Sequence, residues 1–386
     1  MIKEWLAKQK MKASVLQVFR NADIGISYSY GNNAGKVYPK IRQVKFDYEH
    51  KTAICYFSLP TGLDPKEIKK KEYCFHQVFG KNIEIKGEVK EFYLTVYAHR
   101  LPSELTYNFE LYSPSFEGMA LPIVAGVDLN GKLIVFDLVK NPHLLIAGET
   151  GSGKSTQLRS IITTLIQAVP PERLELYLCD LKRSEFHVFR QVKHVQGVYV
   201  SPSEMMPVFQ SLQREMKRRG DILDENEVSH VDDLKEKLPY KIVCIDEVAL
   251  LQSEKKIMDL VEEISAIGRA LGVFIILSMQ RPDRKVLDGK LKNNLTVRMG
   301  FMCADLINSR IIGTPGSEKI KKEGRMLLKT KDYDLKEIQA PFLSIDKAKK
   351  LLEGYRCPKE YKHSKSPVDV LNLKENKETG IFEVLD

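Results

Sequence analysis

The chain has 386 residues, enough for two domains or for one large α/β domain with additions. Its 43% hydrophobic residues support a real core and its 29% charged residues a hydrated surface, while the net charge of +9 leans toward a polyanionic partner, nucleic acid or an acidic membrane. No run approaches the roughly 18 to 20 apolar residues that span a bilayer. The six cysteines form no C-x-x-C pair and the eight histidines show no metal-ligand spacing, which reads as a reduced, cytosolic protein without structural metal.

Residues 1–25 read as a basic amphipathic helix, packed on its own domain rather than lying on a membrane surface. A small N-terminal α/β domain is expected over 26–118. In it "RQVKFDY", "TAICYFSLP" and "EFYLTVYAH" are strands, and "DPKEIKKKEYCFHQVFG" is a helix opened by Asp64 and Pro65. Lys69 to Lys71 are most simply the solvated face of that helix. "LPIVAGVDLNGKLIVFDL" predicts a hairpin turning at Asn130-Gly131. From there to residue 346, apolar strands alternate with helices, which predicts a mainly parallel sheet covered on both faces over a domain spanning 119–346. Residues 347–386 are polar and poorly patterned and read as a partly disordered tail.

The strongest chemical signal is "GETGSGKST", which follows the strand "HLLIA" and opens a helix, and so fits G-x-x-x-x-G-K-[ST] in the right context. Gly148, Gly151 and Gly153 let the backbone of Gly148 to Thr156, with Glu149, Thr150 and Ser152, wrap a phosphate so that several N–H groups point inward. The helix N-terminus adds positive potential. Lys154 reaches the β- and γ-phosphates of ATP, and Ser155 gives a hydroxyl to Mg2+. Some ninety residues on, "YKIVCIDE" is an apolar strand ending in two acids. Asp246 is placed to hold Mg2+ and Glu247 to polarise an attacking water, the mark of a hydrolase. A plainer role for the pair, capping the next helix, is less consistent with the cradle upstream. "VFIILSMQ" then ends in Gln280. In P-loop ATPases with a catalytic glutamate, such a strand lies between the cradle strand and the acidic strand and presents a polar sensor to the γ-phosphate.

Taken together, "PHLLIAGETGSGKST", "EMKRRGDIL", "VCIDEVALL", "IGRALGVFIILSMQRPD" and "VRMGFMCADLINSRIIGTPGSEKI" resemble the FtsK/SpoIIIE/HerA family of DNA-pumping ATPases over residues 121–328. The N-terminal third is similar to the FtsK-like coupling proteins of Gram-positive conjugative elements. The resemblance implies a P-loop NTPase of RecA-like type, with the additional strand and the catalytic glutamate. It implies hexameric rings around DNA, with ATP between subunits and Arg269 as a finger reaching the neighbour's nucleotide; Arg310 is a weaker second cation. It also implies that the loop after the sensor strand faces the pore, so that Arg284, Lys285, Lys290 and Lys292 touch DNA phosphates without reading sequence. Lys217, Arg218 and Arg219 are another possible subunit or DNA contact.

Leu250 stands where family members often carry a second acid, and Leu306 where some carry lysine. The long membrane region of the cell-division members is missing, and the tail is too short and polar for their winged-helix module, so sequence-directed chromosome pumping is not expected. The function expected is an ATP-driven DNA translocase serving conjugative transfer or replication of a mobile element. Duplex is favoured over single-stranded DNA, with a relaxase or membrane channel as further partners, in the cytoplasm or peripherally at the inner face of the membrane. The alternatives are an ATPase of type VII-like protein secretion and a degenerate nucleotide-binding scaffold.

Overall fold

In a computed structural model, which describes residues 2–30, 33–48, 51–80, 82–97, 101–287 and 289–357, the chain divides into two compact units. Unit 1 takes Met1–Pro102 with Val127–Lys132, and unit 2 takes Ser103–Gly126 with Leu133–Asp386.

Unit 1 begins with α1 (Ile2–Asn21) and a hairpin, β1 (Ile26–Tyr30) with β2 (Asn33–Val37). There follow β3 (Lys40–Asp47), β4 (Thr52–Ser58), α2 (Lys66–Lys70), α3 (Glu72–Phe79), β5 (Ile83–Glu88) and β6 (Glu91–Tyr97). The four strands from β3 to β6 form an antiparallel sheet in the order β3-β4-β6-β5. Helix α1 packs on this unit because Met11, Val15, Val18, Phe19 and Ala22 recur at helical spacing and are buried with Phe57, Phe75 and Leu94. The single helix expected over 64–80 is two helices that break at Lys71. Ile68 and Phe75 still face one core, and Lys70 and Lys71 pair with Glu67 on the wet side. Strand β5, whose Ile-Glu-Ile-Lys alternation is short and charged, is not among the expected elements.

Unit 2 opens with β7 (Leu105–Thr106), α4 (Phe109–Tyr112), β8 (Pro122–Asp128) and β9 (Leu133–Asp137). The expected turn between β8 and β9, whose residues 127–132 count with unit 1, is there, with Gly131 at φ 76° and Asp128 Oδ1 accepting from the N–H groups of Asn130 and Lys132. Next come β10 (Leu144–Ala147), α5 (Lys154–Ala168), β11 (Leu174–Asp180), β12 (Val195–Tyr199), α6 (Pro202–Glu225), β13 (Tyr240–Asp246) and α7 (Lys255–Ile267). The chain continues through β14 (Val273–Met279), α8 (Gly289–Asn294), β15 (Val297–Gly300), α9 (Leu306–Ile312), β16 (Arg325–Lys329), β17 (Lys336–Gln339), β18 (Pro341–Phe342) and α10 (Ile345–Leu351).

Ten of these strands form one sheet, ordered β12-β11-β13-β14-β10-β15-β16-β17-β8-β9. The six from β12 to β15 run parallel, and β16 and β17 continue antiparallel. Every residue of β10, β13 and β14 is buried, as expected of parallel strands covered on both faces. The expected α/β fold with a mainly parallel sheet is what the chain adopts. Helix α10 carries the packed core past the expected end at 346, because Ala348 and Leu352 of the supposed tail are buried in it. Residues 358–386 of that expected tail lie outside the described residues.

Candidate functional site: a phosphate cradle at one end of the sheet

Strand β10 ends at Ala147, and the chain turns through 148–153 into α5. Gly153 caps that helix at φ 102°, and a Cβ there would come within 2.7 Å of the Gly324 backbone, so the turn needs glycine on two grounds. The loop is pinned at its start, where the N–H of Gly148 donates to Met279 O (3.2 Å) and that of Glu149 to Met302 O (2.9 Å). Among the described residues no carbonyl accepts from the N–H groups of Thr150, Gly151 or Gly153. These unspent donors at a helix N-terminus are what a polyphosphate requires, so the residues present fit the phosphates of ATP.

Lys154 is 3% exposed, with Nζ donating to Asp246 Oδ1 (3.1 Å) and to Ser278 Oγ (2.7 Å). Ser278 Oγ donates in turn to Asp246 Oδ1 (3.1 Å), closing a buried triangle of lysine, aspartate and serine. Burying polar groups of this kind is costly unless they are paired and hydrogen-bonded, and this arrangement does both. The next residue, Glu247, has left-handed backbone angles (φ 62°, ψ 62°), a strained geometry for a residue with a Cβ. Its carboxylate accepts from the backbone N–H of Gln280 (3.1 and 3.2 Å) and from Lys182 Nζ (2.6 Å). The Gln280 amide oxygen accepts from Thr150 Oγ1 at 3.3 Å, bridging the sensor strand to the cradle. The ordering β13-β14-β10 puts the strand that ends in Gln280 between the acidic strand and the cradle strand, as expected.

Beside the cradle lies a cavity of 680 Å3 whose lining includes Thr150, Lys154, Ser155, Thr156, Gln280 and Phe342. Mg2+ would take the Ser155 hydroxyl and Asp246 together with phosphate oxygens. Among the described residues no group of three or more His, Cys, Asp or Glu side chains forms a metal site by itself. The buried thiols of Cys179 and Cys244 are pushed well up by burial, that of Cys244 also by the Asp246 charge, so both act as small hydrophobes.

The structure does not bring Arg269 to this cluster. It is exposed and sits just before β14 begins, whereas Gln280 lies just past its other end. Seven strand residues, roughly 20 Å, separate the two. The cationic segment 281–294 contains α8, and its cations differ. Arg284 and Lys285 are exposed, and Lys290 reaches Glu262 at 3.5 Å. Lys292 is half-buried and donates to Arg310 O (3.2 Å), with its ammonium disfavoured by burial and by the charges of Arg298 and Arg284. This bond ties Lys292 to the end of α9. Arg219 corrects an expected contact. It is fully buried, donates to Leu271 O (2.7 Å) and Pro239 O (2.8 Å), and pairs with Glu215, whose carboxyl Arg218 and Arg219 hold down at about 2 against the opposing effect of burial.

Ser278 and Lys182 escape a reading of the motifs. A serine inside the apolar run "VFIILSM" is a legible signal, because a buried hydroxyl needs a partner. Lys182 becomes meaningful only once β11 lies beside β13 with Asp180 opposite Asp246.

Comparison with known proteins agrees with the motifs. The model of the FtsK/SpoIIIE family matches residues 115–251. The chain is 33% identical over 269 residues to the DNA translocase FtsK of Helicobacter pylori, covering 66% of this chain and 32% of that protein. It therefore spans about a third of the length of the curated relatives it matches. The monomer form of the pCW3 conjugation coupling protein TcpA with ATPgS superimposes with a TM-score of 0.60 at 25% identity, over 89% of this chain and 99% of that one. The cytoplasmic domain of the Thermomonospora curvata type VII secretion ATPase EccC gives 0.56 at 26%, over 64% and 32%. The resemblance read from the motifs is borne out: residues 115–251, which carry the cradle and the acidic strand, match the FtsK/SpoIIIE family model.

Proposed function

We propose that the chain is an ATP-driven DNA translocase that acts as a coupling-protein-like pump in the transfer or replication of a mobile element. The observation that carries the ATPase part is the contact set at one end of the sheet: unspent N–H donors, Lys154 against Asp246 and Ser278, and Glu247 against Gln280. Bound ATP and Mg2+ supply the reactive phosphoryl group and the charge that neutralises it. Lys154 neutralises phosphate charge, Ser155 and Asp246 hold the metal, Glu247 orients and deprotonates water, and Gln280 couples that glutamate to the cradle. Arg269 serves the cradle of a neighbouring subunit in a hexameric ring. Arg284, Lys285 and Lys290 face DNA phosphates, giving affinity without sequence information.

Two likenesses support DNA as the track: one to a relative named DNA translocase, and one to a conjugation coupling protein over a share of the chain larger than unit 2 holds. A type VII-like secretion ATPase is the second reading, favoured by the likeness to EccC, but that likeness covers no more of the chain than unit 2 could supply. Among the described residues no helix is long and apolar enough to cross a membrane. We place the motor in the cytoplasm, reaching the inner face of the membrane through a relaxase or channel partner. Steady-state ATPase rates without nucleic acid, with duplex and with single-stranded DNA test the reading, with Glu247→Gln as inactive control. Stimulation by duplex is expected. A rate indifferent to both DNA forms rejects the translocase for this chain and favours the secretion reading.

A further inference from the structure

The cavity beside the cradle has two ends, and phosphate chemistry accounts for only one. At one end stand Thr150, Lys154 and Gln280. At the other, the lining is Ser103, Glu104, Gln339, Ala340, Pro341 and Phe342. Sheet order separates the two. Strand β14, which leads to Gln280, neighbours β10 on one side, while β15, β16 and β17 follow on the other, and β17 leads directly into Pro341 and Phe342. A triphosphate whose terminal group faces Gln280 and Glu247 therefore directs its nucleoside toward Phe342.

Phe342 is unusual in its setting. Its backbone is fixed: its carbonyl accepts from the Tyr107 N–H (3.0 Å), and it pairs with Thr106. The next carbonyl, Leu343 O, accepts from Arg159 on α5 at 2.8 Å, and α5, the helix that the cradle opens, packs against β18. Yet the residue is 48% exposed, and among the described residues no other ring stacks on it. A half-exposed aromatic on hydrogen-bonded backbone in the lining of a cavity suits a flat π-system. A nucleoside base is such a system, and every base can use the contact.

We propose that Phe342 is the platform on which the base of the bound nucleoside triphosphate stacks. The proposal rests on the nucleotide reading of the cradle and adds the residue that grips the other end of the ligand. Titration calorimetry of the full chain with ATPγS and, separately, with inorganic tripolyphosphate tests it. Phe342→Ala is expected to weaken ATPγS about tenfold or more while tripolyphosphate binding stays unchanged. Phe342→Trp is expected to restore ATPγS binding, which also guards against a folding defect. ATPγS bound by Phe342→Ala as tightly as by the unmodified chain would overturn the proposal. So would equal weakening of both ligands, since the ring would then only shape the cavity. If the unmodified chain binds tripolyphosphate as well as it binds ATPγS, the cradle stands and the platform fails. If it binds neither, both readings fall together.

Discussion

The two ends of strands β13, β14 and β10 are built on opposite principles. At the end where these strands finish, polar side chains are buried and satisfy one another: Lys154 with Asp246 and Ser278, Glu247 with Lys182 and the Gln280 N–H. At the end where they start, His143 and Arg219 are also buried and bind backbone, Arg219 pairing with Glu215 as well, and they hold the fold. Arg269 stands there in the open. The lesson is that burial of a charge does not by itself mark a functional site. What marks the first end is that its paired side chains surround a loop with spare N–H donors. The second end holds Arg269, an exposed cation that cannot serve its own cradle across the sheet.

The largest expected effect lies at the first end. Lys154→Ala should lower ATP hydrolysis by about a thousandfold or more, read by steady-state phosphate release. It should also lower the melting temperature without nucleotide, because Asp246 is left buried with only Ser278. Arg269→Ala should lose on the order of a thousandfold in rate while leaving the melting temperature and ATPγS affinity unchanged. A stability loss equal to that of Lys154→Ala would erase the contrast between the ends. Lys182→Met should lower kcat about tenfold with KM kept, since Glu247 loses one of its two anchors, and Lys182→Arg should recover most of it. Unchanged kcat would make the pair a surface contact.

The structural end carries an effect on stability and not on rate. Burial lowers the His143 imidazole to about 4, and Nδ1 accepts from the Ile275 N–H (3.2 Å), a bond the protonated ring cannot keep. The unfolded chain takes up this proton near pH 6.5 and the folded one only near 4. Stability contributed by the neutral ring is thus intact above 6.5 and lost as pH falls from there toward 4, by on the order of 3 kcal/mol. His194, which burial also lowers, acts in the same direction. His143→Gln should flatten the dependence of melting temperature on pH in that window, and a profile as steep as before would assign the effect elsewhere.

Much of the first end was legible in the sequence, because its chemistry forces residue order. A strand, a glycine-rich turn, Lys154-Ser155 and a helix can hardly mean anything else, and an apolar strand ending in Asp246-Glu247 adds its partner. The ordering of the sheet, with β14 between β13 and β10, was legible by resemblance. Lys182 was not, because its meaning depends on which strand lies beside β13. Arg219 misled for a related reason: in "EMKRRGDIL" the sequence shows three cations on a helix but not which one faces inward. The break at Lys71 and the buried Ala348 are of the same kind, since tertiary packing decided them against local pattern. Phe342 carries no signal in sequence at all. Only the cavity gives it a role.

The two ends can meet only between subunits, and mixing mutants tests this most directly. Arg269→Ala keeps an intact cradle and lacks the finger, while Lys154→Ala keeps the finger and lacks the cradle. Each alone should be inactive in DNA-stimulated hydrolysis. Titrating one into the other should restore activity at the minority of interfaces where an intact cradle faces an intact Arg269, with a maximum at intermediate ratios. Absence of recovery at every ratio, with both variants folded and co-assembling, would contradict a site completed by a neighbour.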